Sequence, residues 1–124
     1  MTSCITVCDT CKREGWEHGD VAQTDGEMLA EAVEAAAQGR DVVVRRFSCL
    51  MGCSRACNVT VQATGKVNYS LGQFDPDAVS AKGIVEYAEL HGESETGVVP
   101  YRQWPQAIKG HFVSRHPPLP TGDD

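Results

Sequence analysis

The chain contains no apolar run approaching the roughly 20 residues that a membrane-spanning helix needs. Its start, Met1-Thr2-Ser3-Cys4-Ile5-Thr6-Val7-Cys8, lacks the basic residues and the apolar segment of a secretory signal. These absences predict a soluble protein whose default compartment is the cytoplasm. A basic excess is missing too: 11 Lys and Arg stand against 17 Asp and Glu, a formal net charge of −6, whereas phosphate contacts call for a basic surface. Neither a nucleic-acid nor a membrane partner is expected. There is no Ser/His/Asp arrangement, phosphate-cradling glycine loop or paired-carboxylate signature, so no catalytic residues are assigned. Internal repeats are absent as well. What the chain does have is 124 residues, enough for one domain with a real core, and six cysteines. In a reducing compartment those are poor candidates for structural disulfides, which makes metal binding or redox chemistry the leading reason to keep them.

Ile5-Thr6-Val7 is a β-branched run ending at Cys8, and it predicts a first strand. Residues 12–20 form a polar, glycine-containing loop with no helical period. Thr24-Asp25-Gly26-Glu27 has the form of a capping box, and Leu29, Val33 and Ala36 then recur at helical spacing up to a stop at Gly39. Asp41-Val42-Val43-Val44-Arg45-Arg46-Phe47 opens with a continuous apolar run, predicting a strand buried on both faces of a parallel sheet. Residues 58–63 and 66–71 flank Thr64-Gly65 as the arms of a tight hairpin. Asp75-Pro76 predicts a helix start, with Ile84, Tyr87 and Ala88 inward and an end near His91-Gly92. The order is β-α-β-β-β-α with a right-handed crossover. Beyond residue 100, Trp104 to Lys109 suggest a short helical turn, and Pro117-Pro118-Leu119-Pro120 an extended tail. The four histidines, His18, His91, His111 and His116, are isolated and read as surface residues.

Cys8-Asp9-Thr10-Cys11 and Cys49-Leu50-Met51-Gly52-Cys53 each follow a predicted strand. Adjacent parallel strands end on one edge of a sheet, so the two pairs can converge. The preferred ligand set is Cys8, Cys11, Cys49 and Cys53, and Gly52 would let the backbone approach a bound group closely. Cys57 repeats the four-residue step and is a substitute ligand. Cys4, roughly 13 Å from Cys8 along a regular strand, is read as a buried or free thiol. Four thiolates serve a structural zinc, an iron–sulfur cluster or dithiol exchange. Dithiol exchange is the weakest of these, because the activated thiolate needs a helix N-terminus and a polar loop follows Cys11 instead.

Val7-Cys8-Asp9-Thr10-Cys11, Cys49-Leu50-Met51-Gly52-Cys53 and the hairpin through Gly65-Lys66-Val67-Asn68-Tyr69 together resemble the thioredoxin-like [2Fe-2S] ferredoxins over roughly residues 4–91. The resemblance implies a mixed-sheet thioredoxin-like domain over residues 1–100, with an irregular extension over 101–124. It also implies a [2Fe-2S] cluster held by Cys8, Cys11, Cys49 and Cys53, in an electron carrier that is not an enzyme. Its partners would be a reductase and an electron-acceptor protein docking near Lys12, Arg13, Arg45, Arg46 and Arg55, and a homodimer is compatible with this. The chain looks closer still to a group of small bacterial proteins described as predicted metal-binding and often encoded among cobalamin-biosynthesis genes. That likeness takes in Cys57 and Val98-Val99-Pro100. The alternatives are a zinc- or cobalt-binding module and a dithiol-disulfide oxidoreductase.

Overall fold

The structure is a computed structural model that describes residues 3–8, 25–47, 58–74 and 77–118. Its elements in chain order are β1 (Ser3–Cys8), α1 (Asp25–Ala36), β2 (Val42–Phe47), β3 (Val59–Gln62), β4 (Asn68–Leu71), α2 (Ala78–Glu93) and β5 (Phe112–His116). Two 3-10 turns, Tyr101–Gln103 and Gln106–Ile108, lie between α2 and β5. One five-stranded sheet has the order β2-β1-β3-β4-β5. β1 and β2 are parallel, as the α1 crossover requires, and every other neighbouring pair is antiparallel. The β3–β4 hairpin closes through the Lys66 N–H donating to the Ala63 carbonyl, with Gly65 at φ +76°, a backbone region glycine enters without strain.

Strand alternation divides the sheet into two faces. Ile5, Val7, Val59, Val61, Tyr69 and Leu71 point to the helices and meet Leu29, Val33, Ile84, Val85 and Tyr87 in one continuous core. The opposite face carries Cys4, Thr6, Thr60, Gln62, Asn68 and Ser70. Here Arg45 lies across the sheet, its Nε–H donating to Thr6 Oγ1 at 2.6 Å, which leaves Thr6 buried. Arg46 alternates to the helix side and grips Glu34 of α1 through two bonds of 3.1 and 2.7 Å. That pairing holds the Glu34 carboxyl below its ordinary range.

Four details differ from the sequence reading. First, β2 is an edge strand with Val43 and Phe47 more than half exposed, because its apolar run is contacted by helices on only one face. Second, α2 is capped by Asp77, whose Oδ1 accepts from the Ser80 N–H at 2.8 Å; Asp75-Pro76 lie outside the described residues, as does Thr24. Third, residues 112–116, for which the sequence pattern gave no element, form the fifth strand. The turn before it brings Ile108 fully into the core. Gly83 makes room for that turn, since a Cβ there would stand 2.7 Å from the Ala107 Cβ.

Fourth, His91 is buried rather than on the surface. Its Nε2–H donates to the Val67 carbonyl at 2.7 Å, and its Nδ1 accepts from the Ser3 hydroxyl at 2.6 Å. A carbonyl can only accept, so Nε2 carries a proton, and because burial disfavours the charged ring the imidazole is neutral, with Nδ1 left to take the Ser3 proton. Burial pushes His91 below its ordinary pKa; the Val67 bond opposes this and the charge of Lys66 adds to it. The buried Lys66 ammonium donates to the His91 and Gly92 carbonyls, at 3.1 and 2.5 Å. It thereby places a cation at the negative end of α2.

Candidate metal centre

The candidate centre lies on the sheet edge where β1 ends. Cys8, buried at the last position of β1, pairs in register with Phe47, the last residue of β2. On its other side, the Cys8 N–H donates to the Asn58 carbonyl at 3.1 Å, immediately before β3 begins. The two ends of the segment that carries Cys49, Cys53 and Cys57 therefore flank Cys8 on adjacent strands, about 4.8 Å away on either side. Cys11, Cys49, Cys53 and Cys57 themselves lie outside the described residues. Among the described residues no three His, Cys, Asp or Glu side chains converge on one point.

Other features gather on the same edge. β4 runs parallel to β1 and ends at Leu71 opposite Val59, so Gly72, Gln73 and the start of α2 emerge here too. α1 returns the chain from this edge to the opposite one, where β2 begins beside Ser3. By this topology both helices run away from the Cys8 edge toward the end of the sheet where Ser3 lies. Phe47 stands beside Cys8 on the helix-free face and is 57% exposed, an apolar neighbour at the rim. Asn58 is buried there and has partners of its own. Sequence reading had not singled out Asn58; the available signal was a polar residue between a cysteine and a β-branched strand.

Cys4 is a half-buried free thiol at the other end of β1, paired with Val43 and Gln62. The unbroken register from Ser3 to Cys8 keeps it about 13 Å from Cys8. Of the basic residues expected near the centre, Arg45 lies on the open face and Arg46 is engaged by Glu34 on the helix face. Lys12, Arg13 and Arg55 lie outside the described residues.

The mixed five-stranded sheet with two helices against one face defines a thioredoxin-like fold. The solved structures agree. A thioredoxin-like [2Fe-2S] ferredoxin from Aquifex aeolicus is 22% identical, with 94% of each chain covered and a TM-score of 0.57. A second structure of a wild-type thioredoxin-like [2Fe-2S] ferredoxin from the same organism is 19% identical, covering 91% of this chain and 97% of its own, with a TM-score of 0.51. At these identities the likeness carries the fold. The chain belongs to the family described as "Protein of unknown function (DUF1636)", whose model matches residues 5–118. No curated protein matches it.

Proposed function

We propose that the protein is a small [2Fe-2S] electron carrier whose cluster is held by Cys8, Cys11, Cys49 and Cys53, with Cys57 as a substitute ligand. The observation that supports this most is the placement of Phe47 and Asn58 on either side of Cys8. It ties both ends of the second cysteine segment to the sheet position of Cys8. A donor set of four cysteines suits an iron–sulfur centre. The fold relatives, described as [2Fe-2S] ferredoxins, support the same reading.

When bound, such a cluster accepts and releases one electron. The chain's own residues do the rest. The Asn58 carbonyl, by taking the Cys8 N–H, fixes the backbone from which the first thiolate projects. Phe47, the cross-strand neighbour of Cys8, would lie at the rim of such a cluster, where burial is one of the means by which proteins set its potential. Arg45 presents a cation on the open face beside that rim, where it would favour an acidic redox partner. No substrate is transformed in this reading. It extends, on the resemblance noted above, to service in cobalamin biosynthesis.

The test is an anaerobic visible spectrum of freshly purified protein before and after dithionite. Broad sulfide-to-iron absorption that bleaches on reduction is the expected result. Serine substitution of Cys8, Cys11, Cys49 or Cys53 should each abolish or alter it, while Cys4→Ser should leave it unchanged. A colourless protein with one equivalent of zinc, and no cluster after reconstitution with iron and sulfide, would replace the electron carrier with a zinc-binding module.

A further inference from the structure

β5 closes one side of the sheet, and among the described residues its outer edge has no hydrogen-bonded strand. Residues 113–118 are exposed. An unpaired edge presents a row of backbone donors and acceptors that can template a further strand. Beside this edge is a cavity of about 300 Å³ walled by Tyr69, Val99, Trp104, Phe112, Val113 and Arg115. Two of its apolar lining residues, Val98 and Val113, are 46% and 41% exposed. The floor is rigid, with Trp104 tilted against Phe112 at 4.5 Å between ring centres and its Nε1–H fixed to the Val99 carbonyl at 2.8 Å. A free edge next to a side-chain pocket is the arrangement that captures an extended peptide, the backbone giving affinity and the pocket specificity.

Charge selects the occupant. In a chain of net charge −6, residues 96–118 contain Arg102, Lys109 and Arg115 and no Asp or Glu. Arg115 is the charged side chain on the cavity wall. A second copy pairing through β5 would add a second Arg115 to the same edge, a like charge that disfavours homotypic pairing. We infer that the β5 edge and its cavity dock an extended, acidic segment of a partner protein, which adds a sixth strand and seats one bulky apolar side chain between Trp104 and Val113. β5 starts at the sheet edge where Cys8 lies, so a partner held here also reaches the candidate centre's side of the molecule.

The experiment selects twelve-residue peptides from a displayed random library on the immobilised full chain, then measures binding of the enriched synthetic peptides by calorimetry and amide shift mapping. Expected are sequences with excess acid and an aliphatic or aromatic anchor. They should shift residues 112–116 and the Trp104 indole N–H, and should bind at least tenfold more weakly to Arg115→Glu and to Val113→Asp. The same peptide with its acids exchanged for lysine should recover binding to Arg115→Glu. Circular dichroism of both variants shows whether they keep the fold, and Arg115→Ala serves if Arg115→Glu does not. Three results would overturn the proposal: no enrichment, peptides that bind wild type and both variants equally, or peptides that bind only once residues 119–124 are deleted. A concentration-dependent dimer in sedimentation that Val113→Asp dissolves would overturn it as well, and would make the second copy the occupant.

Discussion

Replacing Gly97 with alanine tests the junction that ties the start of β1, the hairpin and the end of α2 together. Gly97 has φ +86°, and an added Cβ would stand 2.8 Å from the Val67 carbonyl oxygen, 2.9 Å from His91 Nε2 and 2.9 Å from the Lys66 Cβ. The left-handed backbone alone costs a non-glycine residue about 1–2 kcal/mol. The Cβ also wedges against both atoms of the His91–Val67 hydrogen bond, and leaving those buried groups badly paired costs about 1–3 kcal/mol more. The expected loss is therefore about 2–5 kcal/mol. With an unfolding entropy of about 0.26 kcal/mol/K for a chain this long, Tm should fall by about 8–19 °C. Gly65→Ala is the matched control: its φ is +76° and nothing lies within 4 Å of its Cβ. It should lose only the backbone part, about 1–2 kcal/mol. Thermal unfolding followed by far-ultraviolet circular dichroism, with urea titration at 25 °C, separates the two variants. Equal losses would show that the His91 junction yields to a methyl group without cost, and would refute the reasoning.

The remaining predictions concern the core and its polar atoms. Tyr87 is buried with its hydroxyl unpartnered among the described residues, and burial, with Tyr69 adding to it, pushes its pKa far up. Tyr87→Phe should leave urea stability unchanged or raise it by up to about 1 kcal/mol, and the wild-type Tyr87 should resist alkaline titration at 295 nm until unfolding; a loss above about 1 kcal/mol would reveal a partner for the hydroxyl. His91 is held neutral below its ordinary pKa of 6.5. As pH falls through 6.5 the unfolded chain gains the proton first, so its contribution is full above pH 6.5 and declines below it, down to the lowered folded-state pKa. His91→Gln should lack that part of the slope of unfolding free energy between pH 5 and 7, and identical slopes would count against the buried neutral ring. Ile108→Ala should lower stability by about 2–5 kcal/mol, because Ile108 is fully buried beneath α2; a change under about 0.5 kcal/mol would mean that the turn before β5 does not share the core.

Local patterns in the sequence determined most of the elements. The β-branched run before Cys8, the helical spacing of Leu29, Val33 and Ala36, and Thr64-Gly65 between two alternating arms each carry their own physical signal. β1, α1 and the hairpin fall where those signals put them. The spacings of the cysteine pairs are likewise read from one short segment each, and of those cysteines the described residues include Cys8, at the end of β1. The tertiary structure decided what depends on distant neighbours. The apolar opening of β2 cannot reveal that helices cover only one of its faces, and that is why Val43 and Phe47 are exposed. A histidine near a helix end gives no local sign of its environment; His91 is buried because Ser3, 88 residues away, and the Val67 carbonyl complete its bonding. β5 is a short run of mixed polarity that becomes a strand because β4 supplies the hydrogen bonds it cannot make alone. The flanking of Cys8 by Phe47 and Asn58 is likewise a matter of register across three strands, and pairing between segments fixes register where composition does not.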